Sequence, residues 1–162
     1  MKLDLNVLKS YQEDLDKKIC ALHSLSSDQT TTRRILAFMV ELGELANETR
    51  CFKYWSYKAA SEKKVILEEY VDGIHFLISL SNELNLDLAF EIEELDCDLT
   101  KQFIDVFVLA GTLQTKFAEQ ELIKLFKKYL QLGVSLGFAE KEMISAYFQK
   151  NQVNHQRQEQ HY

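Results

Sequence analysis

Two acidic clusters carry the chemistry of this chain: Glu41-Leu42-Gly43-Glu44 and Glu68-Glu69-Tyr70-Val71-Asp72. Each lies in apolar, helix-forming sequence and sets carboxylates three residues apart, which places them on one face of a helix. Glu41 with Glu44, and Glu69 with Asp72, are therefore two pairs of anions among residues that belong in a core. Half-buried carboxylates cost on the order of several kcal/mol unless a positive group neutralises them. No Lys or Arg occurs within one turn of the first pair on its own face. An external cation is the simplest counter-charge, and an all-oxygen donor set suits Mg²⁺, with Mn²⁺ as a substitute.

The elements that must position these groups read as helices. The 162 residues contain no proline and five glycines, and Leu, Glu, Lys, Gln and Ala are plentiful. That composition predicts an all-α fold, and the expected architecture is a compact helical bundle with four central helices. A first amphipathic helix is expected from about Leu3 to Leu25, broken by Ser26-Ser27-Asp28. Thr30-Thr31-Thr32 offers N-caps to a second helix, which holds the first carboxylate pair. An aromatic-basic segment follows, from Arg50 to Lys58. Ser61 can cap a third helix, from about Glu62 to Leu84, which is apolar nearly all round in its second half and so predicts the central buried element. Further helical patterns span about 88–99, 103–115, 119–136 and 139–151. The expected organisation is one domain over 1–148 and a polar C-terminal tail over 149–162.

Bulk properties exclude several classes. The net charge of −6 lacks the basic stripe of a nucleic-acid binder. Positions 41 to 98 hold 14 of the 25 carboxylates, whereas the last fourteen residues hold only Glu159 beside Lys150, Arg157, His155 and His161. An acidic centre with a basic, amide-rich tail suits a metal-bridged, phosphorylated small ligand. Cys20, Cys51 and Cys97 are odd in number and widely spaced, so neither a disulfide framework nor a zinc site is expected. No signal-peptide region or membrane-length apolar run is evident, and the expectation is a cytoplasmic protein. The acidic run Glu91 to Asp98 reads as a solvated face.

The two units together read E-x-x-E, 24 residues, E-x-x-D. This resembles the signature of the all-α nucleoside triphosphate pyrophosphohydrolases. Lys53, Trp55 and the stretch Val71-Asp72-Gly73-Ile74-His75-Phe76-Leu77-Ile78-Ser79-Leu80 look like the matching segments of the dimeric dUTP diphosphatases. The tail Lys150-Asn151-Gln152-Val153-Asn154-His155-Gln156-Arg157-Gln158, followed by Tyr162, resembles that family's K-N-x-x-N-x-x-R-Q-x-x-G-Y, with His161 where glycine is usual.

The resemblance implies an intertwined homodimer that hydrolyses dUTP to dUMP and pyrophosphate by water attack on the α-phosphorus. It implies Glu41, Glu44, Glu69 and Asp72 as Mg²⁺ ligands; one ligand carboxylate must also accept the water's proton, and Glu41, with Glu44 the expected catalytic pair, is the candidate. Lys53, Lys150 and Arg157 would bind the outer phosphates, and the tail, ending at Tyr162, would order over the ligand. Gln12 matches the family's position for a uracil-reading amide, with Asn154 a second candidate. Trp55 could stack on or wall the base. His75 would lie near the deoxyribose and exclude a 2′-hydroxyl. Alternatives stay open: a sister specificity such as dCTP or a modified nucleotide, a di-iron carboxylate protein suggested by Asp72-x-x-His75, and a non-enzymatic helical interaction protein.

Overall fold

A computed structural model describes residues 1–95 and 97–162. The chain runs through β1 (Lys2–Asp4), α1 (Lys9–Leu22), α2 (Thr31–Thr49), α3 (Lys63–Glu83), β2 (Ala89–Glu91), α4 (Leu99–Thr115), α5 (Glu119–Ser135) and α6 (Glu140–Glu159), with short 3-10 turns ahead of α1 and α2. The fold is all-α with one two-stranded antiparallel ribbon. Helix α3 packs against α1, α2, α5 and α6, and α4 lies across α2 and α5. As its sequence predicts, α3 is the central element: Val71, Ile74, Leu77, Ile78 and Leu80 are all buried.

Two expected helical segments are corrected. The segment around 88–99 instead opens with β2, which pairs with β1 in the register Leu3 opposite Phe90. The reason lies in the pattern: Leu86, Leu88, Phe90 and Ile92 are buried while Asp87, Ala89, Glu91 and Glu93 are exposed. That is a period of two, the signature of a half-buried strand. Likewise Leu3 and Leu5 alternate with exposed neighbours, so the first helix begins only at Lys9. Asp96, within the acidic run expected to form a solvated face, lies outside the described residues.

Helix α6 passes through the expected boundary at 148/149 and continues to Glu159. Nothing between Glu140 and Gln160 is proline or glycine, so no residue forces a stop. Side chains also tie the extra turns down: Lys18 Nζ to Glu159 Oε1 at 2.8 Å and Asn151 Nδ2 to the Tyr11 carbonyl at 3.4 Å. His161 has φ 55°, and Tyr162 N–H donates to the Arg157 carbonyl at 3.0 Å. This is the left-handed helix end that glycine favours, which explains why glycine is usual there. Ser61 does not cap α3; its hydroxyl donates to Glu48 instead.

A reciprocal contact fixes α3 against α5. Tyr70 and Tyr129 stack with centroids 4.6 Å apart and planes 8° from parallel. Tyr129 donates to the Tyr70 carbonyl at 2.7 Å and Tyr70 to the Tyr129 carbonyl at 3.3 Å. Each ring lies over the other helix's glycine. A Cβ on Gly73 would collide with Tyr129, and one on Gly133 with Tyr70.

Candidate metal centre and nucleotide pocket

Helix α2 presents Glu41 and Glu44, and α3, packed along it, presents Glu69 and Asp72. Leu42 and Leu45 on α2, and Tyr70, Val71 and Ile74 on α3, are buried and set the rotation of both helices. One ligand atom each from Glu41, Glu69 and Asp72 lies within 4.8 Å of the others. Glu44 is exposed and stands beside Glu41, whose carboxyl it helps to push up.

Crowding and burial make the cluster hard to ionise. Burial, then the neighbouring Asp72 and Glu44, push the Glu41 carboxyl up to about 7. Burial and Asp72 also raise Glu69. For Asp72, burial raises the carboxyl in spite of Lys150, whose Nζ sits 2.6 Å from Asp72 Oδ2. Lys150 is thus the one cation paired with the cluster among the described residues. An oxygen-only donor set, converging on one point and destabilised by its own charge, fits a hard divalent cation.

The cluster borders a cavity of about 350 Å³ between α1, α2, α3 and α6, within the range of small-molecule sites. Glu41, Asp72, Gln12, His75, Lys150, Asn154, Arg157 and Tyr162 all line it. Residues more than a hundred positions apart therefore converge. Arg157 lies 5.0 Å from the centre of the Tyr162 ring.

Gln12 is 4% exposed, and most of its amide is engaged. Its Oε1 accepts from the Tyr147 hydroxyl at 2.9 Å and faces His75 Nδ1 at 2.7 Å. Its Nε2 donates to Asp16 Oδ1 at 2.9 Å. The oxygen is saturated, so one N–H remains for a ligand. Burial, with Lys150 nearby, pushes the His75 imidazole down to about 3.

Lys53 and Trp55 do not line this cavity within one chain. Both lie on the segment between α2 and α3, where Lys53 donates to Asn47. Trp55 is 63% exposed and meets Tyr54 and Phe52 edge-on. Sequence reasoning missed Asp16, Arg34 and Ser79, which do line the cavity. Arg34 donates to Ser79 Oγ at 3.0 Å and pairs with Glu83, and burial raises the Asp16 carboxyl. The only signal for Asp16 was its position four residues after Gln12, one turn on along α1.

Fold and site together define an all-α protein that presents a carboxylate cluster to a ligand-sized cavity. The sequence profile of the family described as dUTPase matches residues 4–162; no curated protein matches the chain. The chain belongs to the dUTPase family. Membership carries dUTP diphosphatase activity with it, and dUTP as the substrate.

Proposed function

We propose that the chain cleaves dUTP to dUMP and pyrophosphate in a Mg²⁺-dependent reaction, with water attacking the α-phosphorus. The observation that carries this reading is the convergence of Glu41, Glu69 and Asp72 at the edge of the cavity. Glu41, Glu44, Glu69 and Asp72 would hold Mg²⁺, which when bound supplies charge neutralisation for the triphosphate and a more acidic water.

The chain's own groups do the rest. Of the four carboxylates, Glu41 and Asp72 line the cavity, and Asp72 is paired with Lys150. One of these ligand carboxylates must also accept the water's proton, and Glu41, with Glu44 beside it, is assigned that role. Lys150 and Arg157 bind the outer phosphates, Arg157 through its planar fork. The last turns of α6, with Tyr162, close the cavity and exclude water. Asn154 and the remaining Gln12 N–H face the base, and His75 packs near the deoxyribose.

Lys53 and Trp55 reach a nucleotide from the partner subunit of a homodimer. Exposed apolar stripes support that assembly: Leu36 and Val40 on α2, and Ile104 and Val108 on α4, are 51–64% exposed. No helix of the described residues is long and apolar enough to cross a membrane, and a cytoplasmic location fits the three unpaired cysteines.

The test is pyrophosphate release from dUTP, dCTP, dTTP and UTP, each with Mg²⁺ and with EDTA. Fast, EDTA-sensitive turnover confined to dUTP is expected. Turnover that survives EDTA would remove the metal assignment.

A further inference from the structure

The segment between α2 and α3 has no core of its own to hold it. Residues 50–62 form neither helix nor strand, and Tyr54, Trp55 and Tyr57 all stand exposed. A stretch with so few buried contacts is ordinarily loose, so its shape must come from hydrogen bonds. At its near end, Thr100 Oγ1 donates to the Cys51 carbonyl at 3.4 Å and Lys53 donates to Asn47.

Beyond that end the bonds converge on Arg50. Its Nε donates to the Lys58 carbonyl at 3.0 Å and its Nη2 to Ser56 Oγ at 2.7 Å. Ser56 Oγ also accepts from the Lys58 N–H at 3.2 Å, and the Lys53 N–H donates to the Arg50 carbonyl at 3.0 Å. From Tyr57 to Ala60, the two bonds at Lys58 are the only hydrogen bonds among the described residues. One side chain thus closes the segment into a ring that carries Lys53 and Trp55. A guanidinium suits this task, because its planar fork offers several donors at fixed spacing, whereas an ammonium is a single point.

Arg50 does this from a backbone position that disfavours it. It ends α2 in the left-handed conformation, φ 57° and ψ 14°, where a Cβ is crowded and glycine is the usual residue. The cap bond itself, from the Arg50 N–H to the Ala46 carbonyl at 3.0 Å, is made by backbone alone. The helix end has no use for this side chain, and strain tolerated for one points to a functional constraint.

We propose that Arg50 is a positioning residue for the reaction: its guanidinium holds the 50–58 loop in the shape that sets Lys53 and Trp55 toward the nucleotide. This role rests on the reading above, in which both residues reach across a homodimer to the partner subunit's site.

The test compares kcat and KM for dUTP with Mg²⁺ in four proteins: wild type, Arg50→Gly, Lys53→Ala with Trp55→Ala, and the triple variant. Arg50→Gly suits the left-handed backbone and removes only the fork, and should lower kcat/KM by about tenfold to a hundredfold. The triple variant should be no worse than the Lys53→Ala, Trp55→Ala pair, because Arg50 acts through those two side chains. Trp55 is the only tryptophan in the chain, so its fluorescence anisotropy reports the loop directly, and it should fall in Arg50→Gly without nucleotide. Full activity of Arg50→Gly, an unchanged anisotropy, or a triple variant in which the separate losses multiply overturns the proposal. A damaged Lys53→Ala, Trp55→Ala pair beside a fully active Arg50→Gly overturns this role alone. A fully active pair overturns the assignment of the loop to the site as well, and a wild type without turnover overturns the function. Should Arg50→Gly fail to fold, Ser56→Ala, which removes the hydroxyl that Arg50 and Lys58 share, is read by the same measurements with the same outcomes.

Discussion

A carboxylate that works near neutrality does so at a cost in stability, and Glu41 illustrates the trade. Its neighbours Asp72 and Glu44, together with burial, hold it near 7. Glu41→Gln should therefore slow turnover of dUTP by about 10²–10⁴-fold while raising the melting temperature of the metal-free protein, because one repelling charge is gone. Steady-state kinetics and a thermal melt on the same sample check both halves. At the tail, His161 occupies a left-handed conformation that costs a side chain about 1–2 kcal/mol. His161→Gly should recover part of that, seen as slower hydrogen exchange in the last turn of α6. The four acidic residues were legible in the sequence because their relation is local: three positions apart on one helix is one face. The Lys150–Asp72 pair and the Gln12–Asp16–His75–Tyr147 set were not, since they depend on how α1, α3 and α6 meet. The spacing of Lys150 with Arg157 and Tyr162 marked the segment for function but gave no hint that Lys150 would rest on Asp72.

At the scale of elements, periodicity identifies α3 and α5 within one or two residues, and misses the two places where the period is two, around Leu3–Leu5 and over 86–93. Residues 86–93 alternate strictly, yet their leucines and glutamates suit a helix by composition. The tail, polar all round, suggests a separate segment, although polarity does not end a helix that side chains tie to its neighbours. Gly73 sits directly after Asp72, so the tyrosine–glycine contact between α3 and α5 also sets where a proposed metal ligand stands. Gly73→Ala should destabilise by about 1–3 kcal/mol or more through overpacking, and shift metal affinity in step. Denaturant unfolding and a Mn²⁺ titration measure the two effects.

For the whole molecule, the raised carboxyls set the dependence on pH. Glu41, Glu69 and Asp72 all hold protons more tightly folded than unfolded. Between about 4.5 and 7 the native state therefore binds the extra protons, and stability of the metal-free protein falls as pH rises through that window. The proposed Mg²⁺ would bind the ionised cluster, so its stabilisation should be small at pH 5 and large at pH 8. At about 100 times its dissociation constant it adds about 2.7 kcal/mol, or roughly 5–10 °C in the melting temperature. Melts across pH with and without Mg²⁺ test this, and a Mg²⁺ effect larger at pH 5 would contradict it. The paired apolar stripes on α2 and α4 make a separate prediction. For the proposed homodimer, Val40→Lys with Val108→Lys should convert a species of twice the chain's mass to a monomer in light scattering, and lower activity if Lys53 and Trp55 serve the partner's site as proposed.

The stacked tyrosines carry a consequence for how this chain can change. Tyr70 needs Gly133, and Tyr129 needs Gly73, so four positions on two helices form two interlocked pairs. A substitution at any one of them is judged by its counterpart rather than by its own chemistry. Gly73→Ala, damaging alone, should be much better tolerated together with Tyr129→Leu, and the measured coupling would show that descendants of this sequence must cross that ground two residues at a time.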